Sequence, residues 1–292
     1  MFVERGNFSK IKGYKNQHFV PICLLKKWSN NQGKVYRFRY AYGKFHVSYK
    51  SPAQVGYKEK YLNFLHRTDL PNHYIESKIN GKYDDEGAKV LEVLLTEGVE
   101  SLTAEQEEHW SAFVASLLVR SPEIIETRFR NKGESFRAVL NESQTEYENL
   151  KSDEHPQSLA EFVEHQNPGY IDDIGLNVLP NVVDLVASRI MNEMEWCVIN
   201  TSSMTHSLLI GDCPVILTAE TTHPSCIVVL PISPRHVFLA SRLSIQWNKL
   251  MSTTHEKLVE AVNYEMVTRA NSELYSSDEQ QKVFIQDHLK KN

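Results

Sequence analysis

The chain has 292 residues, of which 41% are hydrophobic, 24% charged and 10% aromatic. That size buries a core without metal or disulfide staples, and that balance excludes a disordered or collagenous polymer. Lys and Arg number 32 against 37 Asp and Glu, a formal net charge of −5, which excludes a general nucleic-acid coat while leaving room for a local basic patch.

No run of about 18 apolar residues is present, so no membrane span is expected. Met1 to Lys15 is polar and basic without an apolar h-region, unlike a secretory leader. Cys23, Cys197, Cys213 and Cys226 form no Cys-x-x-Cys pair and each stands beside apolar residues. That pattern suits reduced, buried thiols in a cytoplasmic protein and gives no structural zinc site.

Residues 1–15 read as a polar arm. Gln17 to Trp28 follows with Phe19, Val20, Ile22, Leu24 and Leu25. Asn30-Asn31-Gln32-Gly33 is a turn, Val35 to Tyr40 alternates, Tyr42-Gly43-Lys44 turns again, and Phe45 to Tyr49 alternates. These features predict a β-meander with one solvated basic face. Ala88, Val90, Leu91, Val93, Leu94 and Leu95 predict a helix ended by Gly98. Thr103 with Gln106 fits a capping box for a second helix carrying Trp110, Phe113, Val114, Leu117 and Leu118. Ser121-Pro122 restarts the chain after Arg120. Residues 131–170 are polar with peripheral helices, and 175–195 reads as a long helix. Short β-type runs then follow at Glu195 to Ile199, Ser207 to Ile210, Pro214 to Leu217, Cys226 to Leu230 and Val237 to Ala240. Thr254 to Asn271 predicts a closing helix.

The fold class expected is α+β: an N-terminal β-meander, a helical middle, a C-terminal β-sheet and a closing helix packed as one unit. In segments this is a polar arm 1–15, one α+β domain over 16–275 and a C-terminal segment 276–292. Within the domain, 16–65 is the meander, 66–195 the helical part, 196–245 the second sheet and 254–275 the closing helix.

Four polar positions invite chemistry. His18, at the lip of an apolar strand, suits a general base, a metal ligand or a phosphate partner, and competes with a buried imidazole satisfied by backbone. Asp212 stands between two apolar strands, where an unpaired charge costs several kcal/mol. It needs a metal, an arginine or backbone amides, and the competing reading is an Asx-turn. Arg120 lies on the apolar stripe of its helix and cannot deprotonate, so it must be paired. It suits a carboxylate or phosphate fork, or equally a structural bridge or a charge on the helix dipole. Asp84, Asp85 and Glu86 precede an apolar helix and read first as caps, whereas Glu76 has no evident capping role. The chain has no Gly-x-Gly-x-x-Gly, P-loop, His-Glu-x-x-His or Gly-x-Ser-x-Gly.

Several of these residues fall in one ordered signature. It opens with Gln17-His18-Phe19-Val20-Pro21, Leu24 to Trp28 and Gly33-Lys34-Val35. It continues through Ile75-Glu76, Asp84-Asp85 with Ala88 and Val90-Leu91, and Trp110 through Phe113 to Arg120-Ser121-Pro122. It closes with Trp196, Gly211 to Pro214, Leu230 to Pro234 and Asn263. Over about residues 16–275 this resembles the mainly bacterial family catalogued as domain of unknown function 4238. The resemblance implies positions and no reaction. It marks Gln17, Asp85 and Asn263 as supporting residues beside His18, Glu76, Arg120 and Asp212. Phe19 stands where the family commonly has Tyr, and Gly211 where it more often has Ser or Thr.

Two functions are weighed. The first is a hydrolase, a phosphodiesterase or nuclease acting on nucleic acid or a nucleotide, in bacterial defence or a toxin system. There His18 moves a proton, Glu76 and Asp212 bind a divalent metal ion or orient water, and Arg120 neutralises phosphate charge. A basic face around Arg37, Arg39 and Lys44 would receive the polyanion. The second is a non-catalytic binding or structural module in which the same side chains form a buried ionic network.

Overall fold

The computed structural model describes residues 15–242 and 254–291. Most of the expected polar arm and the last residues of the expected second-sheet segment, 243–245, lie outside them. The architecture is α+β, with N-terminal strands, a helical middle and C-terminal sheets. The chain divides into two compact units. The first takes residues 15–17, 59–80 and 122–182, and the second takes 18–58, 81–121 and 183 onward. The chain therefore passes repeatedly from one unit to the other, which a left-to-right reading of period does not register.

The strands are β1 Asn16–His18, β2 Val35–Ala41, β3 Lys44–Lys50, β4 Tyr57–Glu59, β5 Glu195–Asn200, β6 Ile210–Gly211, β7 Ile216–Leu217, β8 Ile227–Ser233, β9 His236–Ser241 and β10 Leu274–Ser276. β2 and β3 form the expected hairpin, in register from Val35 with Lys50 to Ala41 with Lys44. Its turn places Tyr42 and Gly43 at φ 53° and 70°, the left-handed pair that matches the twist of a two-residue hairpin.

The expected partition of strands into a meander and a second sheet is corrected. One four-stranded sheet of the second unit runs β3-β2-β10-β6 and the other β5-β9-β8-β7. β10, read from sequence as the end of the closing helix and the start of a polar tail, inserts antiparallel between β2 and β6. Leu274 and Tyr275 are fully buried there, and that burial holds so short a strand. The Ser207 to Ile210 run contributes β6 to this sheet. The β8–β9 ladder shifts register at Pro231 and Ser233, as expected where a residue lacks an N–H.

The helix His255–Arg269 turns Leu258, Val259, Val262, Met266 and Val267 inward. They pack in the second unit with Phe38, Leu208, Leu209, Val237, Leu239 and Leu274. The helix Ile174–Glu193 contains Pro180. By length and composition alone it could cross a membrane, with about 33% of its most apolar window buried. Its polar side chains are partnered: Asn177 by Arg67, Asp184 by Lys82 and Arg189 by Thr221.

Two helices of the second unit, Asp85–Thr96 and Ala104–Val119, fix the geometry that matters below. Thr103 caps the second through the predicted reciprocal bonds with Gln106. The pair is antiparallel, Glu86 meeting His109 and Asp84 meeting Arg120. Gly87 permits the close approach, since a Cβ there would lie 2.4 Å from the Phe113 ring.

Candidate functional site

Antiparallel packing places the start of Asp85–Thr96 beside the end of Ala104–Val119, and each end carries one charge. A π-helical turn, Ile79–Asp84, delivers Asp84 to the first helix. Asp84 makes no side-chain cap bond, so the capping role expected of it is replaced by an ion pair. Arg120 is the C-terminal cap residue of the second helix, and its Nη1 donates to Asp84 Oδ1 at 2.8 Å. Each charge also opposes the dipole end it sits on. The Arg120 side chain is 0% exposed. Burial raises the Asp84 pKa, and the Arg120 charge pulls it back. Asp85 is exposed, and its charge adds to the upward push on Asp84.

His18 lies in the same unit, at the end of β1. Burial, and then the charge of Arg120, depress its pKa to about 4, against a smaller opposing hydrogen bond with the Ala53 backbone. The imidazole is therefore neutral at pH 7. Its ring lies 5.5 Å from that of Tyr57, and its Nε2 is buried with no hydrogen-bond partner among the described residues. Cys23, on the short helix Ile22–Leu25, belongs to this group. Burial and the charge of Asp84 push its thiol up to about 12, so it stays protonated and is a poor nucleophile. Sequence reading passed over Cys23, although it stands five residues beyond His18 in the same motif.

Asp212 belongs to a different cluster of the second unit. Its Oδ1 accepts from the Asn271 N–H at 2.8 Å. Its Oδ2 accepts from the Ser272 N–H at 2.6 Å, the Ser272 hydroxyl at 2.8 Å and the Glu273 N–H at 3.1 Å. Its own N–H donates to the Glu273 carbonyl. Burial raises its pKa and these donors hold it down. Tyr275 donates to Glu273, which pairs with Arg37. Asp212 thus takes the backbone-amide option, with amides about sixty residues away rather than those of a local Asx-turn.

The remaining residues are placed as follows. Asn263 accepts from the Leu209 N–H and donates to the Ser207 carbonyl and to Gln281, spending its amide on the loop before β6. Gln17, in the first unit, accepts from the Leu62 N–H and donates to Asn63. Glu76 is buried in the first unit on the helix Tyr74–Lys78. The structure thus groups His18 with Arg120, adds Asp84 and Cys23, and gives Asp212 partners that this group does not share. Among the described residues no three His, Cys, Asp or Glu side chains lie together so as to hold a metal ion, and the Asp212 oxygens are occupied.

Asp173 of the first unit was not singled out from sequence. It accepts N–H bonds from Leu65, His66 and Arg67 in succession. Arg130, which pairs with it, caps the Tyr61 and Asn63 carbonyls. Its signal in the sequence is weak, a second acid after Asp172 between Ile171 and Ile174.

The family model described as protein of unknown function (DUF4238) matches residues 16–280. The chain belongs to that family. No curated protein and no solved structure matches it.

Proposed function

We propose that this family member is a hydrolase of phosphodiester bonds in nucleic acid or nucleotides, with His18 and Arg120 as its working pair. One observation carries the reading: a neutral imidazole, its Nε2 without a hydrogen-bond partner among the described residues, lies within electrostatic reach of a buried guanidinium. At a pKa of about 4 the free imidazole is a weak base. A phosphate anion beside Arg120 offsets the charge that depresses His18, raises its pKa and readies Nε2 to take a proton from water. Arg120 then neutralises charge developing on the phosphate. Asp84 holds the guanidinium in place, and the protonated Cys23 is no competing nucleophile. None of the four cysteines forms a disulfide among the described residues, which supports a reducing, cytoplasmic setting.

A panel of single- and double-stranded DNA and RNA and a chromogenic phosphodiester tests this. The wild type is expected to cleave at least one, and His18→Ala to lose about 100-fold or more in kcat with its circular dichroism spectrum intact. Full activity in His18→Ala overturns the reading.

A second reading, a structural ionic network, is favoured by one observation: the Arg120 side chain has no exposure and is already paired. Here the ion pair would fix the ends of two helices and react with nothing. Recovery of stability in an apolar replacement of the pair, described below, separates the two.

A further inference from the structure

The β2–β3 hairpin carries a charge asymmetry that the core does not require. Strand register puts Arg39 opposite His46, Ala41 opposite Lys44 and Val35 opposite Lys50, so these residues share one face. The other face is committed to the core: Tyr36, Tyr40, Phe45 and Val47 pack there, and the Tyr40 hydroxyl donates to the Gln286 carbonyl. On the first face Arg37 is paired with Glu273. Arg39, Lys44 and Lys50 make no ion pair among the described residues, and Lys44, His46 and Lys50 are exposed. A protein with net charge −5 thus gathers unopposed positive charge on one strip of sheet.

The turn adds an independent observation. Tyr42 is 99% exposed and sits at φ 53°. A bulky side chain is an outlier in that region, where Asn or Gly is the usual occupant. Nothing in the fold is stabilised by an aromatic ring in open solvent, and such strain gathers at sites of function.

We propose that this strip is a single-stranded nucleic-acid contact surface, with Arg39, Lys44 and Lys50 on phosphates along one strand and Tyr42 stacked on an unpaired base. Cations tracking a backbone beside an aromatic platform are the two components of such recognition. A lone projecting ring finds a base face in a single strand and a stacked, paired one in a duplex. The inference deepens the hydrolase reading by naming its substrate class, and rests on that reading for the meaning of the binding.

Fluorescence anisotropy of a labelled oligothymidylate, titrated with the full chain at several salt concentrations, tests it. The wild type is expected to bind, with affinity falling as salt rises. Arg39→Gln with Lys44→Gln should reduce the log–log salt slope by about 0.7 for each phosphate no longer neutralised. Tyr42→Ala should weaken binding by roughly 5- to 150-fold, and Tyr42→Trp should retain it. Circular dichroism of each variant checks the fold. No wild-type binding, an unchanged slope, an unchanged affinity in Tyr42→Ala, or tighter binding of the matching duplex overturns the proposal. Binding and hydrolysis, each measured on the wild type, separate the two claims. Intact binding without any wild-type hydrolysis defeats the hydrolase reading alone, and loss of binding selectivity with hydrolysis retained defeats the hairpin alone.

Discussion

Asp212 and Arg120 are both charged, both buried in the same unit, and both stood out in the sequence as costly. Their surroundings differ. Four donors converge on the Asp212 carboxylate, three of them consecutive backbone N–H groups. The loop between the helix His255–Arg269 and β10 is tied down by this one side chain. Arg120 meets Asp84 at a helix junction, and within its electrostatic reach lies an imidazole whose Nε2 has no partner among the described residues. The contrast teaches that burial of charge alone does not mark a site. A carboxylate saturated by backbone is a fastener, whereas a charged pair next to an uncommitted titratable nitrogen has chemistry left over.

The largest effect that can break this contrast comes from Arg120. Arg120→Met alone leaves Asp84 buried and uncompensated and should cost about 3–5 kcal/mol by urea denaturation. Adding Asp84→Leu should recover most of that loss, because apolar replacement of a buried pair is often neutral or stabilising. A stable but inactive double variant places the pair in function. A double variant as unstable as Arg120→Met, in a protein that cleaves no phosphodiester, places it in the scaffold.

Asp212→Asn comes next. It loses charge-assisted bonds and turns amide hydrogens toward N–H donors, a cost of about 1.5–3 kcal/mol, with hydrolysis unchanged once folding is corrected for. Unchanged stability together with lost activity would move Asp212 into the site and dissolve the contrast.

The smallest effect is a pH dependence. The folded His18 pKa of about 4 lies below the ordinary 6.5 through burial and the Arg120 charge. Between those values the unfolded chain takes up a proton that the folded chain refuses, so stability falls as pH drops from 6.5 toward 4 and is flat above 6.5 on this account. Comparison of the wild type with His18→Phe isolates the slope, which should approach one proton. No difference in slope would mean an imidazole open to water and a weaker case for the cluster.

Much of the fold was legible. The hairpin, the Thr103–Gln106 capping box and the long helix ending at Glu193 follow from period, turn chemistry and caps, which act over a few residues. β10 was not legible, because three residues carry no period and their strand character comes from neighbours far away in the sequence. The site was legible in part. His18 and Arg120 were found as polar groups in apolar settings, and both lie in one cluster. Asp84 was read as a cap because acids before helices usually are, and only the antiparallel helix pair reveals its partner. Asp212 could not be resolved from sequence, since a distant loop supplies its amides. Cys23 looked like one more apolar position.

The insertion of β10 between β2 and β6 has a consequence for how the protein is made. A ribosome finishes the hairpin more than two hundred residues before the strand that must lie against it. At about 5–20 residues per second, β2 waits on the order of 10–50 s with its inner edge uncovered. During that interval the nascent chain presents an open strand rich in Tyr, Phe and Val, the kind of edge to which another chain can add. Positive charges like those along this hairpin are the kind of residue that discourages such edge-to-edge addition.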